Sequence, residues 1–370
     1  MQFTCGKHDL VNVIQIVSKA VANKPQIPIL SGIHIEAKGD SVILQGTDHE
    51  TGIIASLEAD VEEAGRVVLS ARYLQEVVRR LPGKEVTFAY DKEHNMTRIQ
   101  SEGAHFSLRA MNPDDYPLVR TLTEGTRFKI QDKTLREVIR RTVFACSNDG
   151  LRPIYTGCYM ETQEKKLCMV ATDTHRLAIM KVDLETAVEG VHIIIPAKIL
   201  NELARILLSD VPIDIEVTCS PDHVSFRWPH LFISSRLIEG QFPSYERVIP
   251  DKHTTVMHLN RQEFLAAVER VALISRTNDY NMVRIQLNEQ TIRISSNDPD
   301  IGEAEESLSV RSEGPEVTIA FNALYLMDAL KAIRGETFCF TLTDNLSPAV
   351  MTEKDDPSFT YIILPVRTGR

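Results

Sequence analysis

The sequence predicts an α+β protein made of three tandem copies of one unit, each copy a doubled strand–helix–three-strand element. Three observations carry this. "GTDHETGII" at 46–54, "ATDTHRLAI" at 171–179 and "SNDPDIGEA" at 296–304 align on Asp48, Asp173 and Asp298, 125 residues apart each time. "SARYL" at 70–74, "PAKIL" at 196–200 and "NALYL" at 322–326 repeat independently with a spacing of 126. Two anchors with one period mark a tandem repeat. The length, 370 residues, also exceeds what a single hydrophobic core sustains. The copies are expected at 1–122, 127–250 and 254–370.

Within copy one, "QFTC" reads as a strand. "HDLVNVIQIVSKAV" then sets Leu10, Val13, Ile14 and Val17 on one helical face. The alternating segments "SGIHIEAK", "SVILQG" and "TGIIASLEA" predict three strands. The order then restarts with strand "RVVLS", helix "RYLQEVVRRL" and strands "EVTFAY", "NMTRIQS" and "AHFSLRA". "TLREVIRRTVFA" and "EFLAAVERVALI" are the first helices of copies two and three, and "AKILNELARILL" and "ALYLMDALKAIR" the second. The repeated aspartate sits at a turn between two strands, where its carboxylate can accept from backbone N–H groups. Three metal-binding carboxylates are excluded by placement, because one per copy leaves them far apart.

No apolar run approaches the ~18 residues that span a bilayer, and "MQFTCGKHDL" lacks the basic-then-apolar order of a signal peptide. A soluble, cytoplasmic protein with no membrane partner is expected. The six cysteines are scattered, with no C-x-x-C pair and no histidine at zinc-finger spacing, so free buried thiols are expected and no metal or cofactor. There is no Gly-x-Ser-x-Gly elbow, phosphate-cradling glycine loop or H-E-x-x-H, which removes the sequence support for a hydrolase or nuclease built on Asp173 and His175.

The formal net charge of −10 is unevenly spread. The six helical segments with their flanks (7–24, 70–84, 133–152, 196–208, 261–276 and 322–334) hold 19 Lys and Arg against 8 Asp and Glu, and each is net positive. One basic helix is ordinary surface chemistry. Six in a net acidic chain point to a shared surface facing a polyanion, bound through its phosphates without sequence readout. A monomeric three-domain DNA-binding scaffold would satisfy the same charge split.

The stretches "PILSGIHIE", "ATDTHRLA", "EGQFPSYERVIP" and "YIILPVR", within this repeat architecture, resemble the bacterial DNA polymerase III beta-subunit (beta sliding clamp) family over essentially the whole chain. The resemblance implies clamp domains that close into a ring as a head-to-tail homodimer. Duplex DNA would be encircled without sequence specificity, in a non-catalytic processivity role. It implies Lys24, Arg72, Arg152, Lys198, Arg205 and Arg276 as DNA-facing residues. The interface it implies joins "GAHFSLRAM" to "IGEAEESLSV", with Phe106 and Leu108 against Leu273 and Ile274, and His105 and Arg109 opposite Glu303, Glu305 and Glu306. It further implies a groove between domains 2 and 3 for short peptides of the replicative polymerase, the clamp loader and repair proteins. Matching positions are Tyr155, Thr172, Thr174, His175, Arg176, Leu177, Pro243, Arg247, Val248, Ser347, Leu364, Pro365, Val366 and Arg367. Thr174 stands where the family usually carries a small residue, which narrows the entrance, and Thr368-Gly369-Arg370 run past the usual end.

Overall fold

The computed structural model describes residues 1–22, 25–188, 190–207, 211–275, 281–354 and 356–367. Copy one begins β1 (Gln2–Gly6), α1 (Lys7–Val17), β2 (Gly32–Lys38), β3 (Ser41–Thr47), β4 (Thr51–Glu58) and a short β5 (Asp60–Glu63). It continues β6 (Gly65–Ser70), α2 (Ala71–Arg80), β7 (Glu85–Asp91), β8 (Met96–Ser101) and β9 (Ala104–Arg109). Copy two runs β10 (Thr126–Gln131), α3 (Asp132–Thr142), β11 (Gly157–Gln163), β12 (Lys166–Thr172) and β13 (Arg176–Asp183). Its second half is β14 (His192–Pro196), α4 (Ala197–Ile206), β15 (Asp214–Cys219), β16 (His223–Trp228) and β17 (Leu231–Arg236). Copy three opens β18 (Thr255–Asn260), α5 (Arg261–Ser275), β19 (Met282–Asn288), β20 (Thr291–Asp298), β21 (Gly302–Ser309) and a short β22 (Arg311–Glu313). It closes β23 (Val317–Asn322), α6 (Ala323–Ala332), β24 (Thr337–Leu342), β25 (Ala349–Glu353) and β26 (Phe359–Ile363). The strand–helix–three-strand order therefore occurs six times, with β5 and β22 as additions.

The repeated motifs have local causes. Two residues before each aspartate the chain carries Gly46, Ala171 or Ser296, all small. A Cβ on Gly46 would lie 2.5 Å from the Val17 carbonyl oxygen at the end of α1. In copy three the Ser296 hydroxyl instead donates to the Val271 carbonyl of α5 at 2.6 Å. The aspartates do the same work in each turn: Oδ1 of Asp48 accepts from Glu50 and Thr51 N–H, that of Asp173 from His175 and Arg176, and that of Asp298 from Asp300 and Ile301. In the second anchor Asn322 is a helix N-cap, accepting from Leu324 and Tyr325 N–H at 2.9 and 3.3 Å.

The chain divides into two compact units that cut across the repeat. Unit 1 comprises Met1–Lys133 and Arg205–Leu237, and unit 2 comprises Thr134–Ala204 and Ile238–Arg370. In unit 1 one sheet has the order β5-β1-β7-β8-β9 and the other β10-β15-β16-β17-β4-β3-β2-β6, joined where β17 pairs antiparallel with β4. In unit 2 the orders are β14-β11-β12-β13-β26-β25-β24-β18-β22 and β21-β20-β19-β23. There β13 pairs antiparallel with β26, Arg176 opposite Ile363. The halves of copy two thus extend sheets of different neighbours. Helices bury one face each: Leu74 and Val78 in α2, Leu200 and Leu203 in α4, Leu326 and Leu330 in α6.

All six cysteines are free thiols, five of them buried. Among the described residues no helix is long and apolar enough to cross a membrane, and no group of three or more His, Cys, Asp or Glu is arranged to hold a metal ion.

Candidate functional site: a peptide-sized groove in unit 2

A cavity of about 770 Å³ opens in unit 2. Eleven of the fourteen predicted groove residues line it: Tyr155, Thr172, Thr174, His175, Arg176, Leu177, Pro243, Arg247, Val248, Ser347 and Leu364. Pro365, Val366 and Arg367 do not. The chain turns away there, and the Val366 N–H donates to the Ala320 carbonyl at 2.8 Å. Ten lining residues were not singled out from the sequence, Phe242, Tyr245 and Ile362 among them. These three belong to an apolar cluster with Leu177, Ile179 and Ile194 that forms the floor.

Behind this floor runs a polar chain. Tyr159 stacks on Phe242 with centroids 5.0 Å apart. The Tyr245 hydroxyl donates to Glu161 at 2.6 Å, and the Tyr159 hydroxyl to the other Glu161 oxygen at 3.1 Å. Burial first, then the neighbouring Glu161 and Cys168, push the Tyr245 phenol well above its ordinary pKa, and burial lifts the Cys168 thiol to about 11. These groups stay protonated at neutral pH and serve as donors rather than nucleophiles.

The turn 172–177 forms one wall. Thr174 has φ +79°, a left-handed conformation that costs a β-branched residue on the order of 1–2 kcal/mol. The turn is held regardless. Thr172 Oγ1 accepts from Thr174 N–H at 3.0 Å and donates to the Arg176 carbonyl at 2.6 Å. Asp173 Oδ2 takes the Arg176 Nε–H at 2.9 Å. Among the described residues no hydrogen bond joins Asp173 to the His175 imidazole, which stands exposed with its centroid 6.5 Å from that of Tyr325.

Arg176 is only 10% exposed. Its Nη1 donates to Asp328 at 2.6 Å, its Nη2 to the Phe144 carbonyl at 2.8 Å, and its guanidinium carbon lies 4.3 Å from the Tyr325 ring centroid. Burial opposes the charge, but the Tyr361 hydroxyl, Asp328 and Asp173 outweigh it and hold its pKa above the ordinary arginine value.

Of the predicted DNA-facing residues, Arg72, Arg152, Lys198 and Arg205 are exposed, while Lys24 and Arg276 lie outside the described residues. The helix cations are not uniformly a solvent-facing set. Arg141 is 3% exposed and paired with Glu353, Asp356 and Glu137. Arg136 and Arg261 donate to backbone carbonyls. Counting by segment assigned these residues to a surface because composition carries no direction.

The predicted interface strands are both sheet edges: β9 ends its sheet in unit 1 and β21 ends its sheet in unit 2. Phe106 is 41% and Leu273 55% exposed, and Leu108 and Ile274 are half-buried. His105, Arg109 and Glu303 are exposed. Two of the acidic residues already have partners in their own chain. Glu306 takes a forked pair of bonds from Arg270 at 2.9 and 2.5 Å, and Glu305 lies 2.6 Å from Arg293. Thr368, Gly369 and Arg370 lie outside the described residues.

Comparison with known proteins covers the entire chain. The models for the N-terminal, central and C-terminal domains of the DNA polymerase III beta subunit match residues 1–120, 129–244 and 246–367. The beta sliding clamp of Staphylococcus epidermidis is 34% identical over an alignment 377 positions long, and that of Staphylococcus aureus 33%, each covering all of both chains. The DNA polymerase sliding clamp of Bacillus subtilis superposes with a TM-score of 0.96 at 33% identity, and the Pseudomonas aeruginosa DNA polymerase III subunit beta with 0.93 at 29%, both over the full length of each chain. With three clamp domains in order and the repeat that builds them intact, the chain belongs to the DNA polymerase III beta-subunit family, the beta sliding clamps.

Proposed function

We propose that the protein is a ring-shaped, non-catalytic processivity factor of the cytoplasm, with clamp domains at 1–122, 127–250 and 254–370. Two copies joined head to tail through β9 and β21 encircle duplex DNA and slide on it. The groove in unit 2 tethers the replicative DNA polymerase, and in turn the clamp loader and repair proteins, through short peptides. A topological link needs no tight grip. Exposed cations such as Arg72, Lys198 and Arg205 contribute a weak, salt-sensitive, sequence-blind attraction that permits sliding. The single observation that carries the tethering role is the groove: an apolar floor of Phe242, Leu177 and Ile362 with a polar rim, of a size to take a few side chains of an extended peptide. Deleting Leu364–Arg370 removes Leu364 from its lining, with the segment that follows it. Fluorescence anisotropy with the C-terminal peptide of the replicative polymerase should then show binding lost while sedimentation still shows a dimer. Unchanged peptide affinity would refute the groove assignment.

A further inference from the structure

Arg176 is the one charged residue of the turn that separates copy two from the other copies. The equivalent positions are Thr51 in "GTDHET" and Ile301 in "SNDPDI". An arginine lining a peptide groove would ordinarily be read as a contact for an acidic ligand group. Its surroundings are those of a different role. Each of its three nitrogens has an acceptor in the same chain: Asp173, Asp328 and the Phe144 carbonyl. One face of the guanidinium covers Tyr325, and the Phe144 ring centroid is 5.7 Å from its central carbon. The two outer partners, Asp328 and Tyr325, lie on α6 of copy three and are not among the residues lining the groove. Tyr325 is fastened further by the buried Tyr361, whose hydroxyl donates to its carbonyl at 3.0 Å.

We infer that Arg176 and Asp328 are positioning residues: the pair pins the 172–177 wall of the groove to α6, so that the peptide meets a preformed surface and does not exchange ions with the arginine. This rests on the groove reading above and adds what sets the shape of the groove. The turn needs such a tie. It carries Thr174 in a left-handed conformation, and the His175 carbonyl accepts the Leu364 N–H at 2.9 Å, so a displaced turn also loosens the adjoining lip at Leu364.

The test is Asp328→Asn in the full-length protein, with Asp328→Glu as the conservative variant. Two probes are used: the C-terminal peptide of the replicative polymerase, and the same peptide with each Asp and Glu replaced by its amide. Positioning predicts that Asp328→Asn weakens both peptides alike, by about tenfold, the loss expected for one charge-assisted hydrogen bond of a half-exposed carboxylate. Asp328→Glu should restore most of it. Without peptide, the His175 and Arg176 amides should exchange with deuterium several-fold faster in Asp328→Asn. A direct ionic role for Arg176 predicts the opposite, because freeing the guanidinium would tighten the acidic peptide and leave the amidated one unchanged. That result, or unaltered affinity together with unaltered exchange, overturns the inference. Wild-type protein that bound neither peptide would sink the groove reading instead, and the exchange measurement alone would then decide whether Asp328 holds the turn.

Discussion

Replacing Arg141 by methionine should cost unit 2 about 3 kcal/mol. The side chain is 3% exposed, and Glu353, its closest partner, is 6% exposed. The guanidinium also takes Asp356 at 2.9 Å and Glu137 at 3.3 Å, and it lies 4.4 Å from the Phe359 ring centroid. Stripping one partner from a buried ion pair costs about 3–5 kcal/mol, because the other charge is stranded. Three features place this site at the low end. Glu353 keeps two backbone donors, Arg334 N–H at 3.2 Å and Gly335 N–H at 2.9 Å. Glu137 keeps Arg334 at 2.8 Å, and Asp356 is 37% exposed and can be hydrated. Methionine also fills most of the arginine stem's volume. Since about 1.4 kcal/mol is tenfold, the opening constant of β25 and β26 should rise roughly 100- to 200-fold in native-state hydrogen exchange. The single tryptophan, Trp228, sits in unit 1, so its fluorescence transition in urea serves as an internal control. Adding Glu353→Gln removes the stranded charge and should recover about 1 kcal/mol or more. A loss below about 1 kcal/mol, or no coupling between the two substitutions, would refute the reasoning.

Two further outcomes are expected. Buried His34, 1% exposed with neither ring nitrogen hydrogen-bonded among the described residues, has its pKa lowered by burial, with Glu36 opposing and Arg66 adding to the shift. The unfolded chain therefore binds the proton more readily than the native one. The histidine's contribution to unit 1 stability is complete above about pH 6.5 and is lost as pH falls below it. Urea midpoints followed by Trp228 should decline more steeply from pH 7 to 5.5 in the wild type than in His34→Leu, and equal slopes would contradict this. Charged replacements of Phe106 and Leu108 on the open edge of β9 should leave a folded monomer in sedimentation velocity. A persistent dimer would remove both residues from the interface.

What the sequence discloses follows from which constraints are local. The small residue and the turn aspartate recur in every copy, for reasons within a few residues of each, so the period shows plainly; side-chain N-capping at the second anchor is made only by Asn322 of copy three, Ser70 making no such bond and copy two carrying Pro196 there. The strand–helix order is legible because the helices keep apolar stripes and the strands either alternate, as β8 and β18 do, or run continuously apolar, as β12 does. β5, "DVEE", has neither, and its pairing with β1 gives no composition signal. Which edges join is also silent: β17 to β4 and β13 to β26 are pairings of chain segments far apart, between edges of ordinary apolar strands. That is why the compact units cut through copy two. The groove's turn and lip were reached through family resemblance, whereas Phe242 and Tyr245 read as plain core residues until the floor they share is seen. Arg176 looks like a ligand contact because its anchor, Asp328, is 152 residues away. Arg141 looks like a surface cation because Glu353 and Asp356, which it meets in the fold, are 212 and 215 residues away.

Encirclement is tested most directly on DNA circles. Protein assembled on a nicked circular duplex, then passed over a sizing column in high salt, should stay with the circle and come off once a restriction enzyme linearises it. Equal retention on circular and linear DNA, or release from both as salt rises, would mean that the protein grips the duplex by charge and is not threaded on it.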